Sequence, residues 1–437
     1  MDVIPPLGPE SLLSFLVGLT TLLLLARLLG GLATRLGLPR IVGELLSGVL
    51  LGPSLLTHLF PALAHALLPA EPGDMHLIDA VGQLGVLLLV GITGTHLDLP
   101  MLRTRRRAAL AVSLCGLLVP MLAGIGLGLL LTAPAGDGRP VLFALFLGVA
   151  MGVTALPVIA KTLTDMGLLH RNVGQLILMA GTVDDAVCWF VLSLLTAAAT
   201  VGLTVGAVMS SVVSLVGIVA VAATVGRVAV CTVMRRAARA EGSAPAVAAA
   251  VVVVLLGASV SHALGMEAVF GAFVAGLLCG DRAAAKLAPL RTVVLTVLAP
   301  IFLASAGLRM DLTALGDPML AWTALAIVAV AVVGKFGGAY LGARLSGLNG
   351  WEGLAVGAGM NARGVVEVIV AMTGFRLGVF DVRMYTVVVL VAIVTSVMAP
   401  PMLRAALARV PLRSDEQRRR QRIEHGPPVT AGRDRGA

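Results

Sequence analysis

Two adjacent carboxylates, Asp184 and Asp185, stand in MAGTVDDAVCWFVLSLL, a run with no other charge. An ionisable side chain at bilayer depth costs about 2.5 to 3.5 kcal/mol on insertion scales, so a pair of them there needs a reason. At 1.5 Å per residue the two acids lie roughly 17 Å into their helix, close to a bilayer centre. Neighbours on a helix point about 100° apart, so either two partners or one wet cavity must receive them. Two carboxylates this close in a low dielectric do not both ionise freely, and their titration is coupled. Such a pair can trade protons for a cation; a structural pair satisfied by nearby donors is the plainer alternative.

Lys335, in AVVGKFGGAYLGARL, is a second charge in the middle of an apolar run. It needs a counter-charge inside the bundle. Asp184 is the preferred partner, and Gly334, Gly337 and Gly338 would permit close helix approach. A purely structural ion pair is the alternative. Arg363 and Glu367 are four apart in GLAVGAGMNARGVVEVIV. They share a helical face and neutralise each other or the ends of interrupted helices, and here the structural reading leads.

The remaining polar residues in apolar stretches carry weaker signals. Glu44 sits just past Arg40 and is expected towards the cytoplasmic surface, and Lys161 with Asp165 reads as a snorkelling pair. His96, His170 and His262 fall at the ends of runs, in interfacial positions. Cys115, Cys188, Cys231 and Cys279 lie inside apolar stretches and read as small packing residues.

The elements that must carry these side chains are membrane helices. The chain is 58% hydrophobic and only 13% charged, against about 25% charged residues in a soluble domain. Aromatic residues make up 4%, too few for a base-stacking platform, and no nucleic-acid-binding motif is present. The expected fold is an all-α polytopic membrane protein. Thirteen spans are read near 11–31, 41–58, 77–95, 108–132, 141–165, 173–199, 203–234, 243–263, 266–281, 288–309, 318–345, 351–374 and 384–408. The N-terminus lacks a basic leader and runs straight into a span, so it reads as uncleaved.

Basic residues fall on alternate loops: Arg35 and Arg40; Arg103, Arg105, Arg106 and Arg107; His170 and Arg171; Arg235, Arg236 and Arg239; Arg282 and Lys286; Arg344. The other loops hold only Arg139, Arg309, Arg376 and Arg383. The positive-inside rule places the N-terminus outside and the C-terminus in the cytoplasm. Residues 412–437 read as a short, basic, disordered cytoplasmic tail to a membrane domain of 1–411. Two spans look interrupted and occupy equivalent places in the two halves, as inverted repeats would. In AMGVTALPVIAKTL, Pro157 removes a donor and clashes with the carbonyl of Val153; the other carries the Asn-Ala-Arg-Gly string at Asn361.

Five motifs in order resemble the monovalent cation:proton antiporter superfamily, in the branch of bacterial sodium or potassium/proton antiporters and plant cation/proton exchangers. They are LPRIVGELLSGVLLGPSLL, TALPVIAKTLTDMGLL, TVDDAVCWFVLSLL, APIFLASAGLRMDL and MNARGVVEVIVAMTGFRLGVF. The resemblance implies thirteen spans, a scaffold (spans 11–95 and 243–309), a moving core (spans 108–199 and 318–408), a linker span at 203–234, and a homodimer in the inner membrane. It also implies alternating access, with Asp185 as the cation- and proton-binding carboxylate and Asp184 as the acid paired with Lys335. Thr154, Ala155 and Pro157, facing Asn361, would form the broken-helix crossing, with Arg363 and Glu367 beside it. The expected substrates are Na+ or K+ and H+, exchanged electrogenically, with no cofactor and no enzymatic activity. No large cytoplasmic domain accompanies these spans, so nucleotide gating is not expected. Two other classes remain open: an ion channel or sensor, and an intramembrane aspartyl protease. The protease is disfavoured because its acids approach from separate helices and no Gly-x-Gly-Asp string is present.

Overall fold

In lipid every backbone polar group must be satisfied internally, which leaves helices as the way for a single apolar run to cross. A computed structural model of the chain describes residues 8–69, 71–95, 106–131, 139–166, 168, 170–201, 205–280, 286–414, 416 and 417, and among these the regular elements are all helical. In chain order they are α1 (Pro9–Arg35), α2 (Arg40–Leu51), α3 (Leu56–Leu59), α4 (Pro61–Leu67), α5 (Pro72–Thr95), α6 (Arg106–Leu130), α7 (Pro140–Gly152), α8 (Leu156–Asp165) and α9 (Asn172–Val201). There follow α10 (Val205–Val221), joined by a π-helical turn to α11 (Arg227–Arg239), then α12 (Ala244–Ala263), α13 (Ala268–Cys279), α14 (Ala288–Val293) and α15 (Ala299–Gly307). The last four are α16 (Pro318–Leu345), α17 (Gly350–Met360), α18 (Val365–Arg376) and α19 (Val382–Leu407).

Among the described residues ten helical segments are long and apolar enough to cross a membrane, and the pair α17–α18, bent by 46°, makes an eleventh. The other two of the thirteen expected spans are not single long helices. The fifth is divided into α7 and α8, of 13 and 10 residues. The ninth, α13, has 12 residues and is about 18 Å long at 1.5 Å per residue, against a hydrocarbon core of about 30 Å. It stops at Gly280, whose φ of +57° is left-handed and ends a helix readily.

Two groups of helices pack mainly among themselves. In one, α1 lies on α2, α15 on α2 and α5, and α13 on α5 and α12. In the other, α16 lies on α6 and α17, α6 on α7 and α9, and α17 on α19. The seam between α16 and α6 depends on small residues. A Cβ on Gly338 would stand 2.4 Å from the carbonyl oxygen of Cys115, and one on Gly334 would stand 2.9 Å from Cα of Pro120. Gly337 faces open space, so the expected three-glycine seam is made by two.

The start of the tail departs from the expected disorder. Arg413 donates to Glu352 at 2.6 Å, and Glu416, 2% exposed, accepts from the Asn172 backbone N–H at 2.7 Å and pairs with Arg171 at 3.4 Å. A carboxylate on the first amides of α9 is favoured by the helix dipole, and this attraction overrides the low hydrophobicity of the segment. The expectations for His96, Arg103, Arg105, Arg282, residues 203–204 and the tail from 418 onward lie outside the described residues. So do those for the side chains of Pro157, Lys161 and Asp165.

Gly338→Ala is expected to destabilise the protein by about 1 to 3 kcal/mol, because the obstructing atom is backbone and cannot turn aside. Gly337→Ala, on the same helix, should be neutral or slightly stabilising. Thermal melting of the detergent-solubilised protein distinguishes the two.

Candidate functional site

The chain leaves α7 at Val153, which has φ −61° and ψ 146°, and re-enters a helix at Leu156. Pro157 therefore sits in the first turn of α8, where its missing N–H costs nothing. The second interruption spans residues 361–364, after Asn361 caps α17. The two interruptions meet: the Ala155 N–H donates to the Ala362 carbonyl at 3.2 Å. Thr154, Ala155, Asn361, Arg363 and Glu367 are all buried at or beside this crossing.

Breaking α7 leaves its last carbonyls without helical partners, and two cations supply them. Arg363 donates to Ala150 at 2.8 Å and Met151 at 2.5 Å. Lys335 donates to Gly152 at 2.7 Å. Positive charge at a helix C-terminus also complements its dipole. Arg363 additionally reaches Glu367 in the first turn of α18 at 3.1 Å and the Ala331 carbonyl at 3.1 Å on α16. Both alternatives for this arginine, neutralising Glu367 and capping a half-helix, are thus present together.

The paired acids differ sharply. Asp184, with no exposed surface, is engaged at both oxygens: Oδ1 accepts from Ser113 at 2.5 Å, and Oδ2 accepts from Thr154 and from Lys335, both at 2.6 Å. Its donors come from α6, the α7–α8 interruption and α16. Asp185 is 2% exposed and lies beside the Leu156 backbone N–H at the start of α8. Its Oδ1 has no hydrogen-bond partner among the described residues, and neither side-chain atom of Asn361 has one. Buried polar atoms are seldom left so. Carboxylate and amide oxygens of this kind suit a hard cation or a water.

Ser113 gave no warning in the sequence. A lone serine in an apolar helix usually bonds its own backbone carbonyl, and only the packing of α6 against α9 turns this one towards Asp184. Glu44 is 5% exposed and lies 3.2 Å from Arg40. Its chain position near Arg40 suggested exposure, but the packing of α1 on α2 covers it.

The family model for the sodium/hydrogen exchanger, transmembrane, matches residues 20–409. The chain belongs to that family. It is a membrane cation/proton antiporter and not an enzyme, which removes the protease alternative. It is 31% identical over 402 residues to the Na(+)/H(+) antiporter NhaS4 of Synechocystis, covering 90% of this chain and 97% of that one. It is 28% identical to the Na(+)/H(+)-K(+) antiporter GerN of Bacillus cereus, over 89% of this chain and 95% of that one. Cation/H(+) antiporter 15 of Arabidopsis thaliana is also 28% identical over 89% of this chain, which spans only 48% of the plant protein. The sodium proton antiporter MjNhaP1 of Methanocaldococcus jannaschii, solved at pH 8, shares the fold with a TM-score of 0.62 at 15% identity, over 91% of this chain and 97% of that one.

Removing Lys335 alone strands a buried carboxylate. Lys335→Met should cost about 3 to 5 kcal/mol, and adding Asp184→Asn should recover most of it. A double-mutant cycle by thermal melting measures the coupling.

Proposed function

We propose that this antiporter exchanges Na+ or K+ for H+ across the inner membrane by alternating access, with Asp185 as the carboxylate that holds either the cation or the proton. One observation carries the reading: both oxygens of Asp184 accept hydrogen bonds, while Asp185 keeps an oxygen without a partner, as do both polar side-chain atoms of Asn361 at the crossing. A dehydrated cation there would draw on Asp185, on the Asn361 amide oxygen and on the carbonyls at the two interruptions. Proton and cation compete for one carboxylate, and that competition couples the two fluxes.

The charge count sets the stoichiometry. With Asp185 protonated and Asp184 paired with charged Lys335, the site is neutral. If the arriving cation draws Asp184 off Lys335, and Lys335 loses its proton, the occupied site carries one negative charge. Each cycle then moves two protons against one cation and is electrogenic. If Lys335 keeps its proton, exchange is one for one and electroneutral.

Movement is assigned to the group α6–α9 with α16–α19, the core, against α1–α5 with α12–α15, the scaffold, and α10–α11 links them. The alternation of basic loops supports an outer N-terminus and a cytoplasmic C-terminus. The working unit is taken as a homodimer in lipid.

The test is proton flux in proteoliposomes carrying a preformed pH gradient, with sodium or potassium chloride added. Wild type is expected to dissipate the gradient with at least one salt, and Asp185→Asn to abolish this while still eluting as a folded species. Normal transport by Asp185→Asn removes the proposal. Acceleration of wild-type flux by an imposed membrane potential establishes electrogenic exchange, and indifference to potential establishes the electroneutral cycle.

A further inference from the structure

Polar bonds between the two helix groups gather at one end of the molecule. Arg376, which ends α18, donates to Glu267 at 2.8 Å, and Glu267 immediately precedes α13. Nearby in the same layer, the Tyr385 hydroxyl at the start of α19 donates to the Ala306 carbonyl of α15 at 2.7 Å. The Asp311 N–H donates to the Thr386 hydroxyl at 3.0 Å. By chain direction this is the end where α9, α12, α15 and α18 finish, which is the external face in the topology above.

The ion pair is unlike its two neutral companions. The end of α18 is nine residues beyond Glu367, about 13 Å along the helix at 1.5 Å per residue, so the pair is separate from the crossing. Glu267 is held to its own group, because its carbonyl accepts from Ser261 at 2.9 Å, and it is only 4% exposed. The Arg376 side chain is 48% exposed and lies on the other group. A neutral hydrogen bond broken by a sliding motion is replaced by water at little cost. A carboxylate this buried that loses its arginine is left uncompensated.

The geometry points to Glu267–Arg376 as an outer latch: an ion pair across the scaffold–core boundary that favours the externally closed orientation and must part for the site to open outward. This rests on the proposed movement of one group against the other. A ligand binding from outside sees an affinity reduced by the fraction of chains open to that side. Strengthening the latch therefore weakens apparent outer affinity and leaves inner affinity nearly unchanged.

The experiment compares right-side-out and inside-out vesicles containing wild type, Glu267→Gln, Arg376→Gln or the charge swap Glu267→Arg/Arg376→Glu, and titrates the transported cation from each face. Loss of a charge pair of this kind is expected to strengthen apparent affinity at the outer face about fivefold, to leave the inner face within about twofold, and to be reversed in the swap. Arg376→Gln alters a half-exposed residue and keeps the test alive should Glu267→Gln misfold. In parallel, Glu267→Cys/Arg376→Cys, with the four native cysteines replaced by alanine, is bridged by a thiol-reactive cross-linker with a cleavable spacer. Transport should stop and return on cleavage. Full transport by the cross-linked protein overturns the movement reading, and the latch with it. Arrest by the cross-link, together with equal or absent affinity changes at the two faces in the Gln variants, overturns the latch alone.

Discussion

A lysine with no exposed surface, in the middle of a membrane-spanning helix, stays in place only if something negative meets its ammonium group. Here two things do: the Asp184 carboxylate at 2.6 Å and the Gly152 carbonyl at 2.7 Å. The second partner exists only because α7 stops at Gly152. An uninterrupted helix would have used that carbonyl for itself. The Lys335 contact therefore ties the acid pair, the interruption and α16 into one arrangement.

The same contact divides the labour between the two acids. Asp184 receives a lysine and two hydroxyls, so that both of its oxygens have partners. Asp185, one residue along and turned about 100° away, faces the first amide of α8 and keeps Oδ1 without a partner. A helix N-terminus favours negative charge, yet it engages only part of the carboxylate. Asymmetry between chemically identical neighbours thus follows from their directions on one helix and from what each direction faces.

Interrupting two helices in a membrane exposes backbone groups that lipid cannot satisfy. The crossing meets part of this demand internally, through the Ala155–Ala362 bond, and part with Arg363, whose guanidinium spans the end of α7, α16 and Glu367. A planar fork of donors can serve several acceptors at once, and lysine cannot substitute for it there. These bonds bind α7, α8, α16, α17 and α18 into a unit in which a displacement of one interruption carries the other. Polar bonds also tie the unit to α9 and α19, through Asp184 and Ser396, whereas Arg376–Glu267, Tyr385–Ala306 and Asp311–Thr386 link α18 and α19 to the other helix group at one end.

Composition and periodic runs decided the class of protein, because charge at 13% against apolar residues at 58% leaves lipid as the solvent. Buried charges were legible too. Asp184, Asp185, Lys335, Arg363 and Glu367 stood out because each costs energy in an apolar run, and a costly residue is visible without knowing its neighbours. What the sequence could not convey is what faces what. Ser113 looks like any serine in a membrane helix, Glu267 and Arg376 are 109 residues apart, and Glu416 lies in a segment whose composition reads as unstructured. The bounds of the helix in the run 266–281, Ala268–Cys279, were likewise set by the fold. Sequence sets the cost of each side chain from its type and local pattern, whereas the partner that offsets this cost is chosen by packing between distant segments and exists only in the folded chain.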